Sequence, residues 1–337
     1  MGRARFGARF LKEISVTLSR DLLLRAYRQM KTIREFEERL HVEIQTGEIP
    51  GFTHLYSGQE AVAVGVCEHL SDQDWIASTH RGHGHCIAKG CDVHGMMLEI
   101  YGRADGLCKG KGGSMHIADM TKGMLGANAI VGGGPPIAVG AAIACKIAKR
   151  GHVAIAFGGD GSANQGTVFE AMNLAVVLRA PVIFVFENNG YSEHTGASYA
   201  VGSDDIAGRA RGFGMTADTC DGSDFFAVHE TMAKLLKSVR AGNGPATLEA
   251  KTTRFFGHFE GDPMLYRAKD EVARHREQMD CLRIFRDRVT KEGWLAGSDL
   301  DAVDAAVLAL IDAAVVKARA AAPPAQADLL TDVYVSY

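Results

Sequence analysis

Two glycine-containing words, placed at matching points of two successive strand-to-helix transitions, constrain this chain most. The first, Phe157-Gly-Gly-Asp-Gly-Ser-Ala-Asn-Gln-Gly166, follows the short apolar run Val153 to Phe157. The second, Glu187-Asn-Asn-Gly-Tyr191, follows another such run, Pro181 to Phe186. Between Gly161 and Asn188 lie 26 residues (162 to 187), about what one helix and a returning parallel strand consume. Both words are therefore predicted at the same carboxyl edge of one sheet, where ligands bind in such folds.

The surrounding pattern supports that sheet. Helical periods over 138–149, 167–178, 204–212 and 223–240 alternate with apolar strands at 153–157, 181–186, 215–219 and 246–250. This alternation predicts an α/β fold with a doubly wound, mostly parallel sheet flanked by helices. Upstream, Ser19 opens an amphipathic stretch that runs to Gly47, and Ser57-Gly-Gln-Glu60 reads as a capping box for a helix through Leu70. Residues 79–134 are rich in glycine and histidine and lack clean periods, which predicts a functional loop system. Two long helices, 270–291 and 298–321, are expected to close the chain. The domain reading is a basic N-terminal arm over 1–18, one α/β domain over 19–322 and a tail over 323–337 after Pro323-Pro324. Arg3, Arg5, Arg9 and Lys12 sit in the arm with no hydroxyl residue before Ser15, so a loose arm is expected rather than an organelle presequence.

Composition removes several classes of function. Lys and Arg number 37 against 40 Asp and Glu, a net charge of −3, so no basic field exists to hold a nucleic-acid backbone. Apolar runs such as 176–186 are broken by Arg179 and Pro181 and are too short to span a bilayer. Seven scattered cysteines imply no disulfide framework and a reducing compartment, the cytoplasm.

An Asp carboxylate, an Asn carbonyl oxygen and a freed backbone carbonyl form a hard oxygen set suited to magnesium, with phosphate oxygens completing the shell. Glycines allow the backbone to approach phosphates, and a helix starting near Ser162 would point its N–H groups at them. Other motifs carry less. His83, His85, Cys86, Cys91 and His94 lack the CxxC pair of a zinc site and are expected to line a phosphate-binding loop. Lys109-Gly-Lys-Gly-Gly-Ser114 fails the Walker spacing, because Asp105 stands where the first glycine should. Cys108 has no base paired with it in the sequence and is expected to be packing.

The paired words resemble the thiamine-diphosphate signature. Residues 51–60, 109–116 and 128–132, and Gly257-His258 with Asp262-Pro263, resemble the α subunit of the 2-oxo-acid dehydrogenase first component. The resemblance covers about Ser19 to beyond Pro263. Within it, residues 78–90, 132–136 and 257–262 are most similar to the acetoin dehydrogenase branch, and its pyruvate-using relatives usually have Tyr where His80 stands. The resemblance implies that Asp160, Asn189 and the carbonyl of Tyr191 hold magnesium. It implies that His80, Arg81, His258 and the backbone at Gly161 and Ser162 bind the diphosphate. Ala129, where the family usually has Gly, and Val131 would meet the aminopyrimidine through their backbone. His54 would stand at the substrate mouth, and His54, His80, His83 and His258 are the candidates for the proton transfers. Phe259 occupies the place of a phosphorylated serine in the mitochondrial pyruvate enzyme, so kinase control there is not expected. The family takes its activating glutamate from a second, pyrimidine-binding domain, and this chain has only one module. A β subunit, in an α2β2 heterotetramer, and a lipoyl-bearing acyltransferase are therefore the expected partners. The implied reaction is cleavage of acetoin to acetaldehyde with transfer of the two-carbon unit to the lipoyl arm. The alternative is a pyruvate or branched-chain 2-oxo-acid dehydrogenase. A nicotinamide oxidoreductase is disfavoured by the missing glycine fingerprint, and a non-catalytic scaffold by the presence of both Asp160 and Asn189.

Overall fold

The computed structural model describes residues 18–334, so the expected N-terminal arm lies outside the described residues except for Leu18. The chain opens with α1 (Arg20–Ile44), α2 (Glu60–Cys67), β1 (Trp75–Ala77), α3 (His83–Lys89), α4 (Val93–Ile100) and β2 (Met124–Gly126). It continues through α5 (Gly134–Ala148), β3 (Ala154–Gly159), α6 (Gly166–Val177) and β4 (Val182–Asn188). A two-residue hairpin, β5 (Tyr191–Ser192) and β6 (Thr195–Gly196), leads to α7 (Ala197–Ala200), α8 (Ile206–Gly212), β7 (Thr216–Asp221), α9 (Phe225–Arg240) and β8 (Ala246–Lys251). The helices α10 (Glu271–Gln278), α11 (Cys281–Lys291) and α12 (Gly297–Ala320) follow.

Six strands form one sheet in the order β2-β1-β3-β4-β8-β7, and every neighbouring pair is parallel. The continuous apolar strands have the composition such a sheet needs, because both faces are covered. Alternate strand residues enter two cores. Ile155, Phe157, Ile183, Val185 and Leu248 join α1–α4, α9, α11 and α12, whereas Ala154, Ala156, Val182, Phe184 and Phe186 join α5, α6 and α8. Ala154 pairs with Val182 and Gly159 with Glu187, so the ends of β3 and β4 lie side by side. That register is what brings the two glycine words together.

Four local expectations differ from the structure. Ser57 does not cap α2, since its Oγ is buried without a partner. Glu60 instead turns back to accept the Gly58 N–H and pairs with Arg34 at 2.6 Å. Residues 79–134 hold more than loops: α3 ends on Gly90, whose φ of 92° needs no Cβ, and Asp92 caps α4 by accepting from Gly95 N–H at 2.8 Å. The helix expected over 270–291 is broken, because Asp280 caps α11 and also takes the Arg34 guanidinium. Finally, Ser162–Asn164 is a short 3-10 turn, and the long helix begins at Gly166.

Candidate active site

The carboxyl ends of β1, β3 and β4 open into a cavity walled by Arg81, Asp160, Gly161, Asn189, Arg254 and His258, among others. Asp160 is the first residue beyond β3 and is 1% exposed. Its Oδ1 accepts the Asn189 N–H at 3.3 Å, and its Oδ2 is buried with no partner. Burial raises its carboxyl above the usual carboxylate range. The Asn189 carboxamide donates from Nδ2 to Gln59 Oε1 at 3.0 Å, and its Oδ1 accepts Tyr191 N–H at 3.3 Å, leaving that oxygen one further lone pair. A Cβ on Gly161 would lie 2.2 Å from Ser192 Oγ, so the turn over the cavity accommodates only glycine there.

The opposite wall is cationic. Arg81 is buried and anchors its fork on the carbonyls of Leu55 at 2.7 Å and His258 at 2.9 Å. Burial and the nearby Arg254 draw its guanidinium down to about 9. Arg254 is 1% exposed, its Nε has no partner, and burial lowers it too. Beside them, the rings of His54, His80 and His258 cluster with centroids 4.6 to 5.2 Å apart. Burial, followed by the charge of Arg81, lowers all three, His54 and His258 to about 3. They are neutral at pH 7. One ring nitrogen from each lies within 4.8 Å of the others, and among the described residues this is the single cluster of three or more His, Cys, Asp or Glu side chains close enough to share an ion.

The sequence-derived residues fall into place unevenly. His80, Arg81, Val131, Asp160, Gly161, Ser162, Asn189, Tyr191 and His258 all reach the cavity wall. His54 stands behind it, against His80 and His258. Ala129 lies between the wall residues Asn128 and Ile130 without itself lining the cavity. The Ser162 hydroxyl closes its own turn on Gly159, leaving only its backbone for a ligand. His83 and His85 do not line the cavity. His83 is fully buried between Glu37 and Ser114, and His85 between Ser78 and Glu187. Lys109 to Ser114 wraps over buried Glu99 and is not a phosphate loop. Cys108 Sγ accepts Ala118 N–H at 3.2 Å, and burial raises its thiol, as packing requires. Arg254, Glu187 and Gln59 were not singled out from the sequence. A cation between Thr252-Thr253 and Phe255-Phe256, just past the end of β8, was the available signal for Arg254.

A family model for the dehydrogenase E1 component matches residues 28–327. The chain belongs to the dehydrogenase E1 component family. It is 55% identical to the alpha subunit of acetoin:2,6-dichlorophenolindophenol oxidoreductase from Cupriavidus necator, over 96% of this chain and 97% of that one. The Bacillus subtilis protein of the same description is 49% identical, over 98% of both chains. The pyruvate dehydrogenase E1 component subunit alpha of Rhizobium meliloti is 38% identical, over 92% of this chain and 89% of the relative. Membership in the dehydrogenase E1 component family makes this chain part of an oxidoreductase and implies thiamine diphosphate as cofactor. The cavity fits such a group. The unpartnered Asp160 oxygen offers a hard ligand for a cation, and two buried guanidinium groups face the same space with no carboxylate bonded to either. No helix of the described residues is long and apolar enough to cross a membrane.

Proposed function

We propose that this chain is the α subunit of a thiamine-diphosphate-dependent dehydrogenase complex that cleaves acetoin to acetaldehyde and passes the two-carbon unit to a lipoyl-bearing acyltransferase. The observation that carries the reading is the Asp160 Oδ2 atom, buried without a partner opposite Arg81 and Arg254. A diphosphate brings about three negative charges, which two guanidinium groups and one divalent ion can match. Asp160, Asn189 and the backbone carbonyl of Tyr191 would hold the magnesium. Arg81, His258 and the N–H groups of Gly161 and Ser162 would hold the diphosphate, and the backbone near Ala129 and Val131 the aminopyrimidine.

When bound, thiamine diphosphate supplies the carbon nucleophile and electron sink that cleavage beside a carbonyl demands. The chain's own residues bind, orient and move protons. A neutral ketol must lose the proton of its hydroxyl, whereas a 2-oxo acid loses carbon dioxide. The neutral imidazoles of His54, His80 and His258 hold the candidates for the first task, since a proton acceptor must be uncharged before it acts. Identities of 55% and 49% to two acetoin oxidoreductase alpha subunits support the same substrate.

A β subunit, in an α2β2 assembly, is the expected source of the glutamate that the pyrimidine ring needs. Exposed apolar side chains on α5 and α6, Ile137, Ile147, Leu174 and Val177, support a covered face. All seven cysteines are free, in keeping with the cytoplasm. Steady-state rates of the αβ complex on acetoin, pyruvate and 2-oxoisovalerate test the reading. Acetoin should exceed the other two by at least about tenfold in kcat/KM, a transition-state difference of about 1.4 kcal/mol. Turnover of pyruvate with acetoin untouched would overturn the substrate assignment.

A further inference from the structure

His258 sits in a closed cycle of hydrogen bonds. Its backbone N–H donates to Asp262 Oδ2 at 2.6 Å, and the Tyr266 hydroxyl donates to the same oxygen at 2.6 Å. Arg254 Nη2 donates to the Tyr266 hydroxyl oxygen at 2.6 Å, and Arg254 Nη1 meets His258 Nδ1 at 3.1 Å, closing the ring. Arg254 is held from a third side by the Glu193 carbonyl at 2.9 Å. A guanidinium carries five N–H donors and no acceptor, so the nitrogen that faces it must be bare. A neutral imidazole has one proton to place, and only Nε2 remains. His258 is neutral here, because burial, Arg81 and Arg254 lower it to about 3.

We propose that Arg254 is a positioning residue that fixes His258 in the Nε2–H form, so that the ring meets the cavity as a hydrogen-bond donor and cannot accept a proton there. The consequence divides the imidazole cluster. His258 is suited to an anionic oxygen, whether of a phosphate or of a carbonyl gaining charge. Its one bare nitrogen is occupied by Arg254, so a proton leaving the ketol hydroxyl has to go elsewhere. His54 and His80 make no ring hydrogen bond among the described residues, and His54 Nδ1 is buried without a partner. They are free to present a bare nitrogen, and the proton-acceptor role passes to them. This last step rests on the ketol reading above, whereas the form of His258 does not.

Ring-15N-histidine NMR of the αβ complex tests the inference, with the His258 signals found by their loss in His258→Gln. The expected wild-type pattern is a bare Nδ1 and a protonated Nε2. In Arg254→Met the proton should redistribute between the two nitrogens. A protonated Nδ1 in the wild type, or an unchanged pattern in Arg254→Met, would overturn the proposal. Should Arg254→Met not fold, the wild-type spectrum still decides, and Tyr266→Phe, which loosens one side of Arg254, should shift the same signals. Turnover gives an independent check. Arg254→Met should lower kcat about tenfold in the wild type and less than about twofold in the His258→Gln background, because the two residues act as one unit. An undiminished tenfold loss in that background would assign Arg254 a purely structural part. A complex with the expected tautomer but no activity on acetoin would leave the positioning role standing and remove the substrate reading alone.

Discussion

Asp160 and Asn189 meet across the carboxyl edge of β3 and β4: the Asn189 N–H donates to Asp160 Oδ1 at 3.3 Å while Asp160 Oδ2, 29 residues away in sequence from that donor, is sealed from solvent with nothing to bond. A buried carboxylate oxygen left unpaired costs free energy, and a bound divalent ion would remove that cost. On the reading proposed above, the backbone of the neighbouring glycine turn would hold the diphosphate.

Gly161→Ala tests the turn. The added Cβ would fall 2.2 Å from Ser192 Oγ and 2.7 Å from its Cβ, forcing the β5–β6 hairpin to move. Affinity for thiamine diphosphate with magnesium should fall by at least about tenfold, about 1.4 kcal/mol. The fold should remain, with a stability loss of about 1–3 kcal/mol from overpacking, read by calorimetry and by thermal unfolding.

Glu99 organises the loop after α4. Its carboxylate is fully buried and accepts four backbone N–H bonds, from Cys108 at 2.8 Å, Gly110 at 2.8 Å, Gly112 at 2.7 Å and Gly113 at 3.1 Å. Glu99→Gln replaces one acceptor oxygen by a donor that faces two of those N–H groups. The expected cost is about 2–4 kcal/mol, with faster amide exchange confined to residues 108–113. An unchanged exchange pattern would contradict this role.

Acid stability should depend on His229. Its ring lies against that of His69, centroids 4.0 Å apart and tilted by 35°, and burial followed by His69 lowers it to about 4. The unfolded chain binds a proton near pH 6.5, before the folded chain does. Stability is therefore fully present above pH 6.5 and is lost as pH falls toward 4. His229→Phe should flatten that part of the urea-unfolding profile by about 2 kcal/mol, allowing for solvent screening. A slope equal to the wild type would exclude His229 as the cause.

The sheet and the pairing of the two glycine words were legible because apolar strands of a doubly covered parallel sheet leave an uninterrupted signal. Val182 to Phe186 is buried at every position, and no other element type explains such a short run between a helix and Asn188. Residues 83–100 were not legible as helices, because α3 buries histidines and glycines where periodicity looks for aliphatic side chains. Gly84 shows why: a Cβ there would lie 2.1 Å from the Tyr56 ring. The cavity edge was read from Asp160 and Asn189, yet Arg254 was passed over. Its role depends on Tyr266, Asp262 and His258 folding back around it, and spacing does not encode that return.

The most direct test of the magnesium–diphosphate site is calorimetric titration of thiamine diphosphate and magnesium into the αβ complex, wild type against Asp160→Ala. Saturable, metal-dependent binding in the wild type and its loss by at least about a hundredfold in the variant, about 2.7 kcal/mol, is the expected result. Tight, metal-dependent binding retained by Asp160→Ala would contradict the account.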